Sequence, residues 1–528
     1  MFEKMTIHNN LTIPIPIPHK YHTIPHAYGT IPYSTRIPTI PTILSIATTM
    51  KTTFPLTSET VCASAPGKAI LFGEHAVVYG HPAIAAALSD LRITVWITPV
   101  QSGTNGNTIK ARDEVRIRLA DLPQPVDTTL SVEFLRSLPT LALPPQPHVT
   151  AAQLTELLEK HTRNNNTQQQ NAIAQSALLP VVYLLAVLLY GKGLSNTDNH
   201  HHHNKNDNYR GGLEIYVAAP DLPVGAGLGS SAAFSVALAA ALLQYVRRRR
   251  RRQQQQPAVM DLDTVNQYAY YAEILLHGQP SGLDNAVATY GGALKFAKSS
   301  DTQGQTQWEA LLPRQEDHAG SSLPPMLLVH THVPRSTKAL VSHVRQQYEA
   351  YPTVVAPILQ AMGALAEAFA QEQKQTTGTS AAASRRLLDY VSLNHALLRA
   401  VGVSHPALED VVARVAEACP HGGAAAKLTG AGGGGCALVV GDALKAAERA
   451  LTKDKTPYTC WRSTLGGPGV QWHKASDTWN QVVGQGRQRP KQSSREGSRW
   501  KVVGVALMTI GTAALAMGTM GWIRQRSR

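Results

Sequence analysis

The sequence predicts an α+β protein, with strands and helices interspersed along one chain, and three observations carry that reading. Apolar, β-branched runs of strand length stand at 93–98, 213–218, 326–331 and 436–440. Longer segments with helical apolar spacing occupy 232–246, 262–276, 384–401 and 406–419. Between the second strand and the first of these helices stands Pro223-Val-Gly-Ala-Gly-Leu-Gly-Ser-Ser-Ala-Ala233, glycines and hydroxyls set directly before a helix start.

A chain of 528 residues, 43% of them apolar, can build a sizeable core and two or three domains. Its net charge of +14 does not mark a nucleic-acid protein. Arg247 to Arg252 supply six positive charges, and 477–528 carries nine Lys/Arg against Asp477 and Glu496, so these two places hold thirteen of the fourteen. The remaining body is close to neutral and offers no basic groove. Cys62, Cys419, Cys436 and Cys460 lack metal-type spacing and fit a reducing compartment.

Taken in order, residues 1–58 contain no acid except Glu3 and carry repeated Ile-Pro steps that disfavour helix. They are expected to be disordered or an over-extended start, with Met50 as an alternative beginning. Arg36 is the only arginine there, so the stretch lacks the Arg-rich character of a transit peptide. Three polar tracts, 164–171, 196–210 and 247–256, read as loop insertions between patterned segments. His200 to His203 lie in the second among Asn, Lys and Asp, with no framework to orient a metal. The arginine run suits a helix end stabilised by positive charge, followed by a loop. Beyond Gly469 the chain turns polar and basic, giving an expected stalk at 477–501. The 22 residues of 502–523 are uncharged and bracketed by Lys501 and Arg524, long enough to span a bilayer. Gly504, Gly511 and Gly518 recur on one face of that run. A C-terminal transmembrane helix is therefore expected to tether a cytoplasmic catalytic body to an organelle membrane.

The glycine loop is the chemical signal. Glycines at 225, 227 and 229 let the backbone take positive φ and approach a ligand, while the unpaired N–H groups of the new helix face an anion. Ser230 and Ser231 add hydroxyl donors or hold a cation bridging phosphates. No Walker lysine accompanies the loop, which excludes an ordinary P-loop. Taken alone, the loop is also compatible with a tight turn whose glycines serve packing.

Two further segments accompany it: Ser64-Ala-Pro-Gly-Lys-Ala-Ile-Leu-Phe-Gly-Glu-His-Ala-Val-Val-Tyr-Gly80 and Lys427-Leu-Thr-Gly-Ala-Gly-Gly-Gly-Gly-Cys436. In this order the three resemble the motifs of the GHMP kinases, the superfamily of galactokinase, homoserine kinase, mevalonate kinase and phosphomevalonate kinase. Gly73-Glu74-His75 followed by Ala-Val-Val-Tyr-Gly is similar to the mevalonate kinase branch. A galactokinase would read Gly-Glu-His-Thr-Asp, and a phosphomevalonate kinase would lack the histidine. The resemblance runs from about Thr60 to about Gly469, interrupted by insertions. It implies an N-terminal domain like ribosomal protein S5 domain 2 at 59–298, a ferredoxin-like C-terminal domain at 323–470, and a site in the crevice between them. It also implies ATP-dependent phosphorylation of (R)-mevalonate in isoprenoid and sterol synthesis, Mg²⁺ as the metal, and a homodimer.

Moving a phosphoryl group onto an alcohol needs a phosphate cradle, a divalent cation, charge neutralisation and a proton acceptor. The cradle is Gly225, Ala226, Gly227, Leu228, Gly229, Ser230 and Ser231. By the resemblance Ser231 is a Mg²⁺ ligand and Glu273 its acidic partner. Asp284 follows a helix stop at Gly278, so a sharp turn brings it back toward the cradle, and it matches the family's catalytic aspartate. Lys68 beside it would keep that carboxylate ionised and offset charge on the transferring group. His75 resembles a mevalonate contact, with Glu74 orienting its neighbours on the substrate side; a hydrogen-bonded core histidine remains the other reading of His75. Arg335 and Thr337 match a family segment at the acceptor, unless Ser336 or Thr337 is simply a helix N-cap. Ser281 is either a nucleotide contact or a turn residue. Gly430 lets backbone approach the substrate, and Cys436 reads as packing. A phosphomevalonate or galactose kinase is the near alternative. A silent ligand sensor or membrane scaffold is the distant one, opposed by Lys68, Ser231, Glu273 and Asp284 standing together.

Overall fold

The computed structural model describes residues 54–100, 113–122, 125–161, 168–190, 209, 211–251, 261–298, 306–311, 323–375, 381–453 and 456–484. The expected stretch before Phe54, most of the tract at 196–210 and the uncharged run 502–523 lie outside these residues.

Small and branched apolar residues dominate β1 (Val61–Phe72) and β2 (Ala83–Pro99), which lets both faces of these strands be covered, and both are buried along nearly their whole length. They pair antiparallel with a register shift at Pro66/Gly67, next to Lys68. β3 (Glu114–Leu119) and β4 (Val126–Ser131) form a hairpin, followed by α1 (Val132–Ser137), α2 (Pro147–His161) and α3 (Gln168–Leu185). That helical crossover lets β5 (Leu213–Ala218) lie parallel to β3. The sheet runs β12-β1-β2-β5-β3-β4, where β12 (Gln471–His473) is the last strand among the described residues. The helix α4 (Ser230–Arg251), rich in alanine, packs against β1 and β2. Asp261 caps α5 (Leu262–His277) by accepting from the N–H groups of Asp263 and Thr264, and α6 (Leu283–Tyr290) follows after a short turn. β6 (Ala293–Lys298) pairs with the first part of β2, and β7 (Thr306–Ala310) with β6.

The C-terminal domain contains β8 (Pro325–His330), α7 (Thr337–Ala350), α8 (Pro352–Gln375), α9 (Ala381–Ala400), α10 (Pro406–Ala418), β9 (Ala424–Leu428), β10 (Cys436–Gly441), α11 (Leu444–Thr452) and β11 (Thr459–Thr464). Its sheet is ordered β11-β8-β10-β9 and every pair is antiparallel. That is a ferredoxin-like β-α-β-β-α-β path with extra helices in the first crossover. Leu327, Val329, Val344, Leu359, Val411 and Val439 belong to its core. Both α4 and α8 are apolar and long enough to cross a membrane, and both are packed into the cores of this fold.

Three expectations are corrected. First, two of the polar tracts are not wholly loop: α3 starts at Gln168 inside the first and α4 continues to Arg251 inside the third, since Gln and Arg are good helix formers. Arg248 Nη1 donates to Thr60 O at 3.2 Å, and the Arg249 guanidinium lies 4.3 Å from the centre of the Tyr209 ring. Second, Phe54 lies within the stretch expected to be disordered, yet it is buried and stacks on Trp479 at 5.0 Å. Third, the expected stalk beginning at 477 is folded as far as Gly484. β12 (Gln471–His473) pairs with β1, and α12 (Ala475–Trp479) places Trp479 against Phe54, Trp96 and Tyr216. These aromatic rings are far apart in sequence, and only the fold brings them together.

Replacing Trp479 with alanine should lower stability by about 3–5 kcal/mol, read as a reduced urea midpoint. The imidazole of His473 bonds the Ser64 hydroxyl at 2.7 Å, and burial, then the charge of Arg92, push its pKa from 6.5 to about 4. The unfolded chain takes up this proton first, so stability should fall as pH drops from 6.5 toward about 4. Melting curves across that range should show a shallower decline for His473→Gln.

Candidate active site

Lys68 sits on β1 just past the register shift, and its backbone N–H donates to Leu228 O at 2.8 Å, tying the strand to the glycine loop. Its side chain is 9% exposed, a burial an ammonium tolerates only with a partner. Asp284 Oδ1 supplies that partner at 3.2 Å. Asp284 is in the first turn of α6, where the helix dipole favours a carboxylate. Gly278 and Gly282, with φ of +75° and +78°, make the turn between α5 and α6 that brings it back.

The cradle closes over this pair. Gly225, Gly227 and Gly229 have φ of +83°, +80° and +68°, while Ala226 and Leu228 between them are buried and anchor the loop. A Cβ on Gly229 would lie 3.0 Å from Lys68 Cγ and 3.4 Å from Asp284 Oδ2. Ser230 and Ser231 open α4. Ser231 Oγ donates to Glu273 Oε2 at 2.9 Å, and Ser235 Oγ donates to Oε1 at 3.0 Å. His277 Nε2 is 3.1 Å from Ser231 Oγ and 3.4 Å from Glu273 Oε2, and its bond to that carboxylate holds its pKa above the ordinary value. Ser235 and His277 join the site although no motif in the sequence marks them. Their signal was helical spacing, since each stands four residues after a chosen residue, on the same face. Adjacent ligands of an octahedral cation with bonds of about 2.0–2.1 Å lie about 2.9 Å apart, so the Ser231 and Glu273 oxygens fit one edge of such a shell. Among the described residues no group of three or more His, Cys, Asp or Glu could hold a metal.

Arg335, between β8 and α7, reaches across the crevice. Its Nη2 donates to Ala226 O at 3.0 Å. Gly430 and Gly435 crowd the guanidinium so closely that a Cβ on either would come within 2.8 Å of it. Burial lowers its pKa, and its Nη1 is buried without a hydrogen-bond partner among the described residues. A guanidinium left in that condition is suited to an anion. His75 is buried, which lowers its pKa, and its Nε2 stands 2.9 Å from Ala431 O. A carbonyl only accepts, so the neutral ring carries its proton on Nε2.

Glu74 requires a correction. It was expected on the substrate side, but it is 1% exposed, with one carboxylate oxygen paired to the Lys427 ammonium and the other accepting from Asn394 Nδ2 at 2.8 Å. Both partners lie more than 300 residues away, beyond the reach of local sequence patterning. Ser336, not Thr337, caps α7 by accepting from Ala339 N–H at 3.2 Å; Thr337 is exposed on the first turn. Ser281 Oγ accepts from Leu283 N–H at 3.3 Å, a turn contact. Burial pushes the Cys436 thiol up to about 12, in keeping with packing.

Residues 182–292 match the GHMP kinases N terminal domain, and 365–455 the GHMP kinases C terminal. Mevalonate kinase of Mus musculus is 34% identical over 437 residues, covering 79% of this chain and 96% of that protein. This chain belongs to the mevalonate kinase family of GHMP kinases. The Homo sapiens family member is 32% identical over 449 residues, covering 80% and 98% respectively. The crystal structure of Methanococcus jannaschii mevalonate kinase has the same fold, with a TM-score of 0.51 at 20% identity over 78% of this chain and 98% of that one.

At Gly227 a Cβ would lie 1.3 Å from Arg335 Nη2, on a backbone already at φ +80°. Gly227→Ala must therefore drive the guanidinium off Ala226, and steady-state kinetics should show about a hundredfold loss of kcat/KM.

Proposed function

We propose that the chain transfers the γ-phosphoryl group of ATP to the primary hydroxyl of (R)-mevalonate, giving ADP and 5-phosphomevalonate for isoprenoid and sterol synthesis. The observation that carries it is the meeting of Lys68 Nζ and Asp284 Oδ1 at 3.2 Å, directly beneath the glycine loop. The nucleotide phosphates lie on the N–H groups of that loop at the start of α4. Asp284 accepts the proton of the attacking hydroxyl. Lys68 keeps Asp284 ionised and offsets the negative charge on the phosphoryl group in flight.

Arg335 offers its free Nη1 to an anionic oxygen in the crevice, and His75, held by Ala431 O, shapes the acceptor side. Thr337 is a further acceptor contact in this proposal, and Ser281, whose hydroxyl also closes its turn, a nucleotide contact. Ser231 and Glu273 would hold Mg²⁺, with Ser235 orienting the carboxylate; the ion, when bound, neutralises phosphate charge. Membership of the family and the intact set of four groups support this function over a silent sensor.

Asp284→Ala should cut turnover by about 10²–10⁴-fold while nucleotide affinity stays close to normal. An assay of mevalonate, phosphomevalonate and galactose as acceptors tests the substrate. Turnover of either of the other two in preference to mevalonate would reject it, and near-normal activity of the variant would remove Asp284 from its role.

A further inference from the structure

The crevice walls belong to two separately built sheets, so catalysis needs something to fix their separation. On the acceptor side the link is polar and buried. Lys427, on β9, pairs with Glu74 and also donates to Ile70 O at 3.3 Å. Thr429 Oγ1 donates to the same carbonyl at 2.9 Å, and Asn394 Nδ2, on α9, holds the other oxygen of Glu74. Lys427 is 0% exposed and Glu74 1%, so water does not share in the pairing. An ion pair at this depth adds little net stability, because desolvation offsets attraction. It does impose an arrangement, since rotating one domain against the other strands both charges.

The position of this link matters for the chemistry. Ile70 is two residues from Lys68 on the same strand, so the carbonyl held by Lys427 and Thr429 belongs to the segment that delivers the catalytic ammonium. Lys427, near the end of β9, and Thr429, just beyond it, lead straight into Gly430, which rests against Arg335.

We propose that Glu74 and Lys427 are positioning residues that hold the C-terminal glycine loop and Arg335 at working distance from the Lys68–Asp284 pair. Their loss lowers turnover of the bound acceptor rather than nucleotide affinity. This inference rests on the phosphotransfer function proposed above.

Two readouts separate the inference from that function. In kinetics with mevalonate, Glu74→Gln and Lys427→Met should each lose about a hundredfold in kcat with nucleotide affinity unchanged. Lys427→Arg should recover part of the loss. The double variant Glu74→Leu/Lys427→Met should be no worse than the worse single variant, because neither charge is then left alone. Asn394→Ala keeps the ion pair, guards against a failure to fold, and should lose about tenfold. Independently of activity, spin labels at Glu133→Cys and Lys445→Cys, exposed positions on the two domains, should give a narrow distance distribution that broadens with Lys427→Met and less with Lys427→Arg. Full turnover in the single variants, multiplying losses in the double variant, or an unchanged distance distribution in Lys427→Met would overturn the inference. A wild-type protein inert toward mevalonate, with the distance distribution still broadening in Lys427→Met, would instead sink the phosphotransfer function and leave the positioning role standing.

Discussion

A nearly buried ammonium needs an anion, and the arrangement of the site follows from meeting that need at Lys68. The lysine is carried on a strand covered on both faces, so its charge cannot escape to water and must be answered from within. Asp284 answers it from the first turn of a short helix, and the two glycines before that helix exist where the chain must reverse. The glycine loop is drawn into the same place by the bond from Lys68 N–H to Leu228 O. The charge pair and that backbone bond together bring three distant segments into one place.

The two domains divide the work. The N-terminal domain supplies the glycine loop, the Lys68–Asp284 pair and the Ser231–Glu273 edge, all mounted on β1 and three consecutive helices. The C-terminal domain supplies a guanidinium and a glycine stretch, and it reaches the cradle through the bond of Arg335 to Ala226. Beneath the acceptor side, the Glu74–Lys427 pair and the bond of His75 to Ala431 join the domains a second time. A crevice pinned on both sides can keep donor and acceptor in register, which is where much of the rate in phosphoryl transfer originates.

The segment after β11 adds a third tie. After the ferredoxin-like domain is complete, β12 returns to extend the N-terminal sheet, and Arg92 donates to Pro468 O at 3.0 Å, in the segment that leads there. The aromatic group of Phe54, Trp96, Tyr216 and Trp479 then seals the face of the sheet away from the helices. Neither end of this described body is a loose appendage.

Residue types and spacing determined the mixed α+β class, most of the expected strands and helices, and the glycine loop, while likeness to a family singled out the lysine, aspartate and glutamate that meet in the crevice. Those features are local: a glycine run before a helix, a short motif such as Pro66-Gly67-Lys68 and a helical apolar period each act within a few residues. Only the tertiary structure decided the fates of Glu74, Arg335, Ser235, His277 and the segment 471–484. Each of those depends on a partner brought close by folding. Glu74 is an acid whose burial is tolerable because Lys427 and Asn394 lie on another domain, and Trp479 is an aromatic residue in a polar stretch until Phe54 and Trp96 surround it. Long-range pairing of charges and rings leaves no period in a sequence, and that is why the fold had to supply it.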